Sequence, residues 1–305
     1  MDSQISVKNM LAELLAISHP LSPFDMPLLD SHGATLADDI WVGEEIVLHK
    51  GVRIRSPQVG LAASLGLSRL PTQPHPRVVV ISAGDDLVEP GQSIGEHQEF
   101  ETNSWMLTTA AREAGAVAYR VHAIPENHAQ LKAVIEDQLV RADIIVISGE
   151  SNDGSFELIR EVLRELGDIE SFIPNLEGSA RHCFGIIGED GVPAITLPGD
   201  SMSAYISFEI FIRPMIRTLL GVKNVFRATV KAQVTCDIES PIGFTSLIRA
   251  LLFLSSDGLP MVTPLADQDD LLSLSKAGAL ITVAADSPGY LKGELAEIII
   301  LDRSV

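Results

Sequence analysis

Three short stretches carry residues whose types and spacing could hold a small anion: Ser82-Ala83-Gly84-Asp85-Asp86, Ser148-Gly149-Glu150 and Leu197-Pro198-Gly199-Asp200. Each ends an apolar run and combines glycine with small or acidic residues. A glycine-containing turn between a buried strand and a helix presents backbone N–H groups that bind phosphate-like groups without any particular side chain. The second stretch opens the segment SGESNDGSFE (148–157), which carries Glu150, Asp153 and Glu157 but no Lys or Arg before Arg160. Without a ligand, the same glycines would serve tight strand-to-helix connections. Asp85 and Asp86 would then cap a helix or face solvent, Glu101 and Glu157 read as exposed acids rather than catalysts, and Trp41 and Trp105 read as packing residues.

Other chemistries find less support. The segment GDSMS (199–203) joins a strand to a helix, but a hydrolase nucleophile elbow needs glycine where Ser203 stands, and the last histidine, His182, precedes the serine. Eight scattered histidines form no H-E-x-x-H pair and the two cysteines, Cys183 and Cys236, form no CxxC, so no zinc or other metal site is expected. Unpaired thiols suit a reducing cytoplasm. The net charge of −19 argues against nucleic-acid binding, which needs a basic footprint. No apolar run approaches the roughly 18 residues of a membrane span, and MDSQISVKNM (1–10) lacks the pattern of a secretory signal. A cytoplasmic protein without membrane insertion is expected.

The elements that must position these residues follow from periodicity. Residues 6–17 pattern as an amphipathic helix, EEIVLHKGVRI (44–54) as a strand or hairpin around Gly51, and Ser56-Pro57 as N-cap and first residue of a helix. PTQPHP (71–76) reads as a stiff linker and a domain boundary. Beyond it, apolar runs at 78–81, 117–122, 144–147 and 192–197 alternate with helical patterns at 103–114, 127–140, 156–166 and 201–220. That alternation predicts βαβ units in a three-layer α/β/α domain with a mostly parallel sheet, whose ligands sit beyond the carboxyl ends of the strands. From Asn224 onward, short strands between turns predict a small β-barrel or sandwich. The expected domains are an N-terminal arm (1–70), the α/β domain (71–222) and a C-terminal β-domain (223–305).

In this order, the stretches GVRIRSPQVGLAASLGL, PRVVVISAGDDLVEPGQSIG, ETNSWMLTTAAREAGA, ADIIVISG, LIREVLRELG and VPAITLPGDSMSAYISFEIFIRPMIRTLLG resemble the MoeA and gephyrin E-domain family, the molybdopterin molybdenumtransferases. SLIRALL and LLSLSKAGALI add weaker matches. The resemblance implies a cleft that holds adenylated molybdopterin and inserts molybdate with magnesium. It assigns cofactor contacts to Ser82, Gly84, Asp85, Asp86, Asn103, Ser148, Gly149, Pro198, Gly199, Asp200 and Ser203; Leu87 and Gly154 also keep the family residue.

The departures from the family pattern matter most. Ser155 stands where the family has an acid beside the metal, and Glu157 is the later acid. Glu177 and Ala180 occupy two lysine positions, Glu101-Thr102-Asn103 replaces D-[ST]-N, and LPGDS replaces L-P-G-N-P. Near residue 43, where the family inserts a further domain, LADDIWV runs almost directly into GEEIVLHKGVRIR. No catalytic residue is therefore expected intact; Glu101 and Glu157 are remnant acids. Losing two charge-assisted contacts, at about 1.5–3 kcal/mol each, weakens anion binding by roughly two to four powers of ten. The expected function is a MoeA-like protein of molybdenum cofactor biosynthesis with impaired or no molybdate insertion, binding molybdopterin or its adenylated form weakly, or no cofactor. The alternative is a non-catalytic, gephyrin-like scaffold that binds a peptide of a protein partner. A homodimer is expected, because the arm has too little apolar sequence for a core of its own.

Overall fold

The computed structural model describes residues 3–124, 127–149, 153–266, 268 and 270–301; Glu150, Ser151 and Asn152 of the acidic turn lie outside the described residues. Strands made only of apolar residues must be covered on both faces, and this dictates the central architecture. In a seven-stranded sheet the strands Val192–Leu197, Ile144–Ser148 and Arg77–Ala83 run parallel side by side, and Val117–Ile124 continues them in parallel at one edge. Val78, Val80, Ile144 and Val146 face one side, against the helices Val7–Ala16 and Asn103–Ala114 and the long helix beginning at Ser201. Val79, Ile81, Ile145 and Ile147 face the other, against His128–Leu139 and Asp153–Leu166. The expected three-layer α/β/α arrangement is present.

Three strands of this sheet were not expected from the sequence. Gly167–Pro174 and His182–Ile187 extend the sheet antiparallel beyond Val192–Leu197, and Ser3–Ile5 adds to its edge in parallel. The antiparallel pair approaches closely because two glycines permit it. A Cβ on Gly185 would lie 1.9 Å from the Asp168 carbonyl oxygen, and one on Gly167 would lie 2.1 Å from that of Ile186.

Helix ends follow local chemistry. Ser6 caps the first helix by accepting from the Asn9 N–H. Gly115 closes Asn103–Ala114 with a left-handed φ of 108°, a conformation that favours glycine. The helix expected at 201–220 runs as Ser201–Ser207, one π-helical turn at Phe208–Ile212, and Arg213–Leu219.

The N-terminal region departs from expectation in four ways. Ser56 is the first helical residue rather than the N-cap, which is Arg55. The front half of the expected linker lies in the strand Arg69–Gln73, which pairs with Phe24–Pro27 and Thr35–Leu36. The arm has a small core of its own in Leu36, Leu48, Ile54, Ala62 and Leu70. Trp41, expected to pack, is 57% exposed. Where the resemblance implied an inserted domain, Ile40–Val42 and Glu45–Leu48 form a hairpin around Gly43, whose φ is 59°.

The C-terminal region is a closed barrel of five strands: Thr229–Val234, Ser246–Leu254, Pro260–Pro264, Ala279–Val283 and Leu295–Ile300. Its centre is filled by small and branched side chains, among them Ala232, Val262, Ile281 and Ile298. No helix among the described residues is long and apolar enough to cross a membrane.

Candidate functional site

Register places the three strand ends side by side. Ser148 is the sheet partner of both Ser82 and Leu197, so the chain leaves three adjacent strands at one level. A cavity of about 480 Å³ opens there. Ser82, Asp86, Leu87, Glu101, Thr102, Asn103, Ser148, Gly149 and Gly199 line it, together with four residues not expected from the sequence: His97, Glu99, Phe100 and Ser201. His97 is the one non-glycine residue with positive φ among those described, at 67°. That strain, beside the cavity, could not be read from the sequence.

Asn103 ties two strand ends together. Its Nδ2 donates to Ser148 Oγ at 2.8 Å and to the Gly199 carbonyl at 2.6 Å, while Ser148 Oγ donates to the Pro198 carbonyl at 3.1 Å. Because a carbonyl can only accept, these partners fix which amide atom is nitrogen. Asn103 Oδ1 is buried and has no hydrogen-bond partner. Leaving such an acceptor without a donor is unfavourable by about 1–3 kcal/mol.

Glu101 is not the exposed acid expected from sequence; it is 1% exposed. Oε1 accepts from Ser82 Oγ at 2.6 Å and from the Ser104 N–H at 2.7 Å, and Oε2 accepts from Ser104 Oγ at 2.5 Å. Arg120 approaches Oε2 at 3.3 Å, pairs with Glu89, donates to Ser104 Oγ and lies over the ring of Trp105. Trp105 is correspondingly a half-exposed platform, at 51% exposure, rather than a core residue. At Glu89 burial works against ionisation, yet hydrogen bonds from Arg120 and His122 outweigh it and hold the carboxyl below its ordinary pKa.

The remaining expected residues are dispersed. Gly84 donates its N–H to the Ile124 carbonyl, and Asp85 is exposed in the turn that carries Asp86 to the cavity. Asp200 caps the helix Ser201–Ser207 by accepting from the N–H groups of Met202 and Ser203, both at 3.1 Å. Asp200 and Ser203 line a second cavity, toward the barrel, which also contains Glu177. Ser203 Oγ donates to the Gly178 carbonyl. Glu157 does not line the first cavity; it pairs with Arg160 and, at 3.0 Å, with Arg181, which lies over the Phe156 ring. Ser155, at the family's acid position, is fully buried.

Two consequences follow for anions. Among the described residues lining the first cavity there is no Lys or Arg. The two helix starts beside it, at Asn103 and Ser201, already have carboxylates on their N–H groups, from Glu101 and Asp200. A helix N-terminus neutralised by its own acid attracts an external anion less.

The α/β sheet, with a cavity of ligand size at three adjoining strand ends, is followed by a small closed barrel. Residues 79–218 match the family described as "Probable molybdopterin binding domain", and residues 231–301 match "MoeA C-terminal region (domain IV)". Molybdopterin molybdenumtransferase 1 of Mycobacterium tuberculosis is 32% identical over 270 residues, which is 87% of this chain and 63% of that relative. Molybdopterin molybdenumtransferase 2 of the same organism is 35% identical over 212 residues, 68% of this chain and 52% of that relative. The molybdopterin biosynthesis MoeA protein of Pyrococcus horikoshii OT3 shares the fold, with a TM-score of 0.80 at 17% identity over 98% of this chain and 100% of that one. The chain belongs to the MoeA family, and it spans somewhat less than two thirds of the length of the two mycobacterial relatives.

Proposed function

We propose that this chain acts in molybdenum cofactor biosynthesis by holding a molybdopterin-class ligand at the strand-end cavity, with little or no molybdate insertion. The observation that carries the reading is the cavity itself: ligand-sized, built on three strand ends and lined by Asn103, whose amide joins two of those ends. Ser82, Ser148, Gly149 and Gly199 would pack against the ligand, and Asn103 would orient it. A phosphate group gains little here, because Asp86, Glu99 and Glu101 surround the space without a cation.

Magnesium does not fit as a protein-held ion. Glu101 is saturated by Ser82, Ser104 and Arg120, and no group of three or more acidic, histidine or cysteine side chains among the described residues gathers to hold a metal. Cys183, buried beside Ser171 Oγ, and the exposed Cys236 are recorded in no disulfide, which accords with a reducing, cytoplasmic setting.

Calorimetry with molybdopterin tests the binding. A dissociation constant in the high-micromolar range is expected; submicromolar affinity, or no binding at millimolar concentration, would sink the proposal. Reconstitution of a cofactor-free molybdoenzyme from adenylated molybdopterin and molybdate tests the chemistry. Rates near those of a full-length relative would contradict the loss of insertion activity.

A further inference from the structure

A cleft of about 1040 Å³ lies where the Gly51 turn, the end of the helix Arg213–Leu219 and the connection into the barrel meet. Five cations line it, Arg53, Arg213, Arg217, Lys223 and Arg227, in a chain whose acids outnumber its bases by 41 to 22. Part of this charge is balanced locally. Glu113 lines the cleft, and Glu209, placed by the π-helical turn, accepts two hydrogen bonds from Arg227 at 2.5 and 2.7 Å. Arg217 donates to the Ala114 carbonyl at the end of one helix and lies in the last turn of its own. Each helix C-terminus is equivalent to about half a negative charge, so two carboxylates and two helix ends offset about three of the five cations.

The surplus shows in the side chains. Arg213 Nε is buried without a hydrogen-bond partner and is 3.8 Å from Glu209. Burial lowers the pKa of Arg213, and the like charge of Arg227 adds to the effect. Arg53 and Lys223 are exposed at the rim and form no ion pair among the described residues. A concave surface with a net surplus of positive charge concentrates anions, and planar guanidinium forks match the oxygens of phosphate and carboxylate alike.

We propose that this cleft is an anion site, separate from the strand-end cavity, that takes a compact polyoxyanion bearing about two to three negative charges, in keeping with the positive surplus of about two left by the helix-end balance. The rim cations Arg53 and Lys223 capture the anion, and the Arg213 guanidinium lining the cleft adds its positive charge. The proposal does not rest on the pterin reading.

Titration calorimetry of the full chain with inorganic pyrophosphate at low ionic strength tests it. One binding event per chain is expected, with a dissociation constant below about 1 mM that weakens as salt is added. Arg53→Gln combined with Lys223→Gln changes only exposed side chains, so the melting temperature should hold while affinity falls at least about tenfold. Asn103→Ala, in the strand-end cavity, should leave pyrophosphate binding unchanged. The proposal is overturned by absence of heat at millimolar pyrophosphate, by unaltered affinity in the double variant, or by loss of binding in Asn103→Ala. Citrate in the same titration separates the sources: tighter pyrophosphate assigns a phosphate anion, and citrate of equal or greater affinity assigns a carboxylate one.

Discussion

Glu101 and Asp200 show how one carboxylate can hold a fold together and still weaken a site. Glu101 accepts from Ser82, from both donors of Ser104 and from Arg120, all within the buried wall of the cavity. Glu101→Gln turns one acceptor into a donor that faces donors. Breaking such a buried arrangement is unfavourable by about 3–5 kcal/mol, and because Arg120 keeps Glu89 as a partner the lower figure is expected. Urea denaturation checks this; a loss below about 1 kcal/mol would show that the network contributes little. Asp200 allows a cleaner separation. Asparagine caps a helix about as well as aspartate, so Asp200→Asn should keep the bonds to Met202 and Ser203 while removing a negative charge beside the strand ends. Molybdopterin affinity should rise about fivefold, equivalent to about 1 kcal/mol, with stability unchanged. An affinity that stays constant or falls would mean that the Asp200 charge does not act on the site.

At the scale of elements, His182 on the strand His182–Ile187 makes stability depend on pH. It is fully buried beneath the 176–181 loop, with Nδ1 2.9 Å from the Thr196 carbonyl and Nε2 3.2 Å from Ser179 Oγ. Burial pushes its pKa down to about 4, against the weaker opposing effect of the Thr196 bond. The unfolded chain protonates His182 near pH 6.5 and the folded chain does not, so the unfolded state binds more protons between about pH 4 and 6.5. Stability should therefore fall by about 3 kcal/mol as pH drops through that window, and His182→Gln should flatten the slope. Denaturant midpoints at pH 7, 5.5 and 4 measure it; an equal slope in the variant would assign the effect elsewhere. The sequence did not reveal this strand. The central strands were legible because burial on both faces makes them continuous apolar runs, as in Ile144–Ser148. Gly167–Pro174 and His182–Ile187 mix polar and apolar residues, and their pairing depends on close backbone approach at Gly167 and Gly185, which leaves no periodic signal. The site was legible to the same extent. Strand ends are local, so Ser82, Ser148 and Gly199 could be found, whereas the lining by His97 and Glu99 and the burial of Glu101 depend on how a distant loop folds back.

For the whole molecule the open question is assembly. The arm was expected to dimerise for want of a core, but Leu36, Ile54 and Leu70 are fully buried within it. A different observation motivates the same expectation. Phe24, Leu29, Trp41 and Val42 are exposed at 51, 85, 57 and 46%, on the Phe24–Pro27 strand, the turn after it and the Ile40–Val42 hairpin. Exposed apolar residues gathered on one small unit mark an interaction surface more often than scattered ones do. A homodimer that buries the arm is the expected assembly, and charge sets a condition on it. Each chain carries −19, so two copies repel over a distance of about 10 Å at 0.1 M salt. Apolar burial at about 25 cal/mol per Å² must outweigh that repulsion, and association should strengthen as salt is raised. Trp41→Ser removes the largest exposed ring from the hairpin and, being exposed, should leave the fold of the chain intact. Sedimentation at micromolar concentration should show a dimer that tightens between low and moderate salt, and a monomer for Trp41→Ser. A parent chain that sediments as a monomer at every salt concentration would refute the homodimer, and a variant that dimerises as well as the parent would place the interface away from the hairpin.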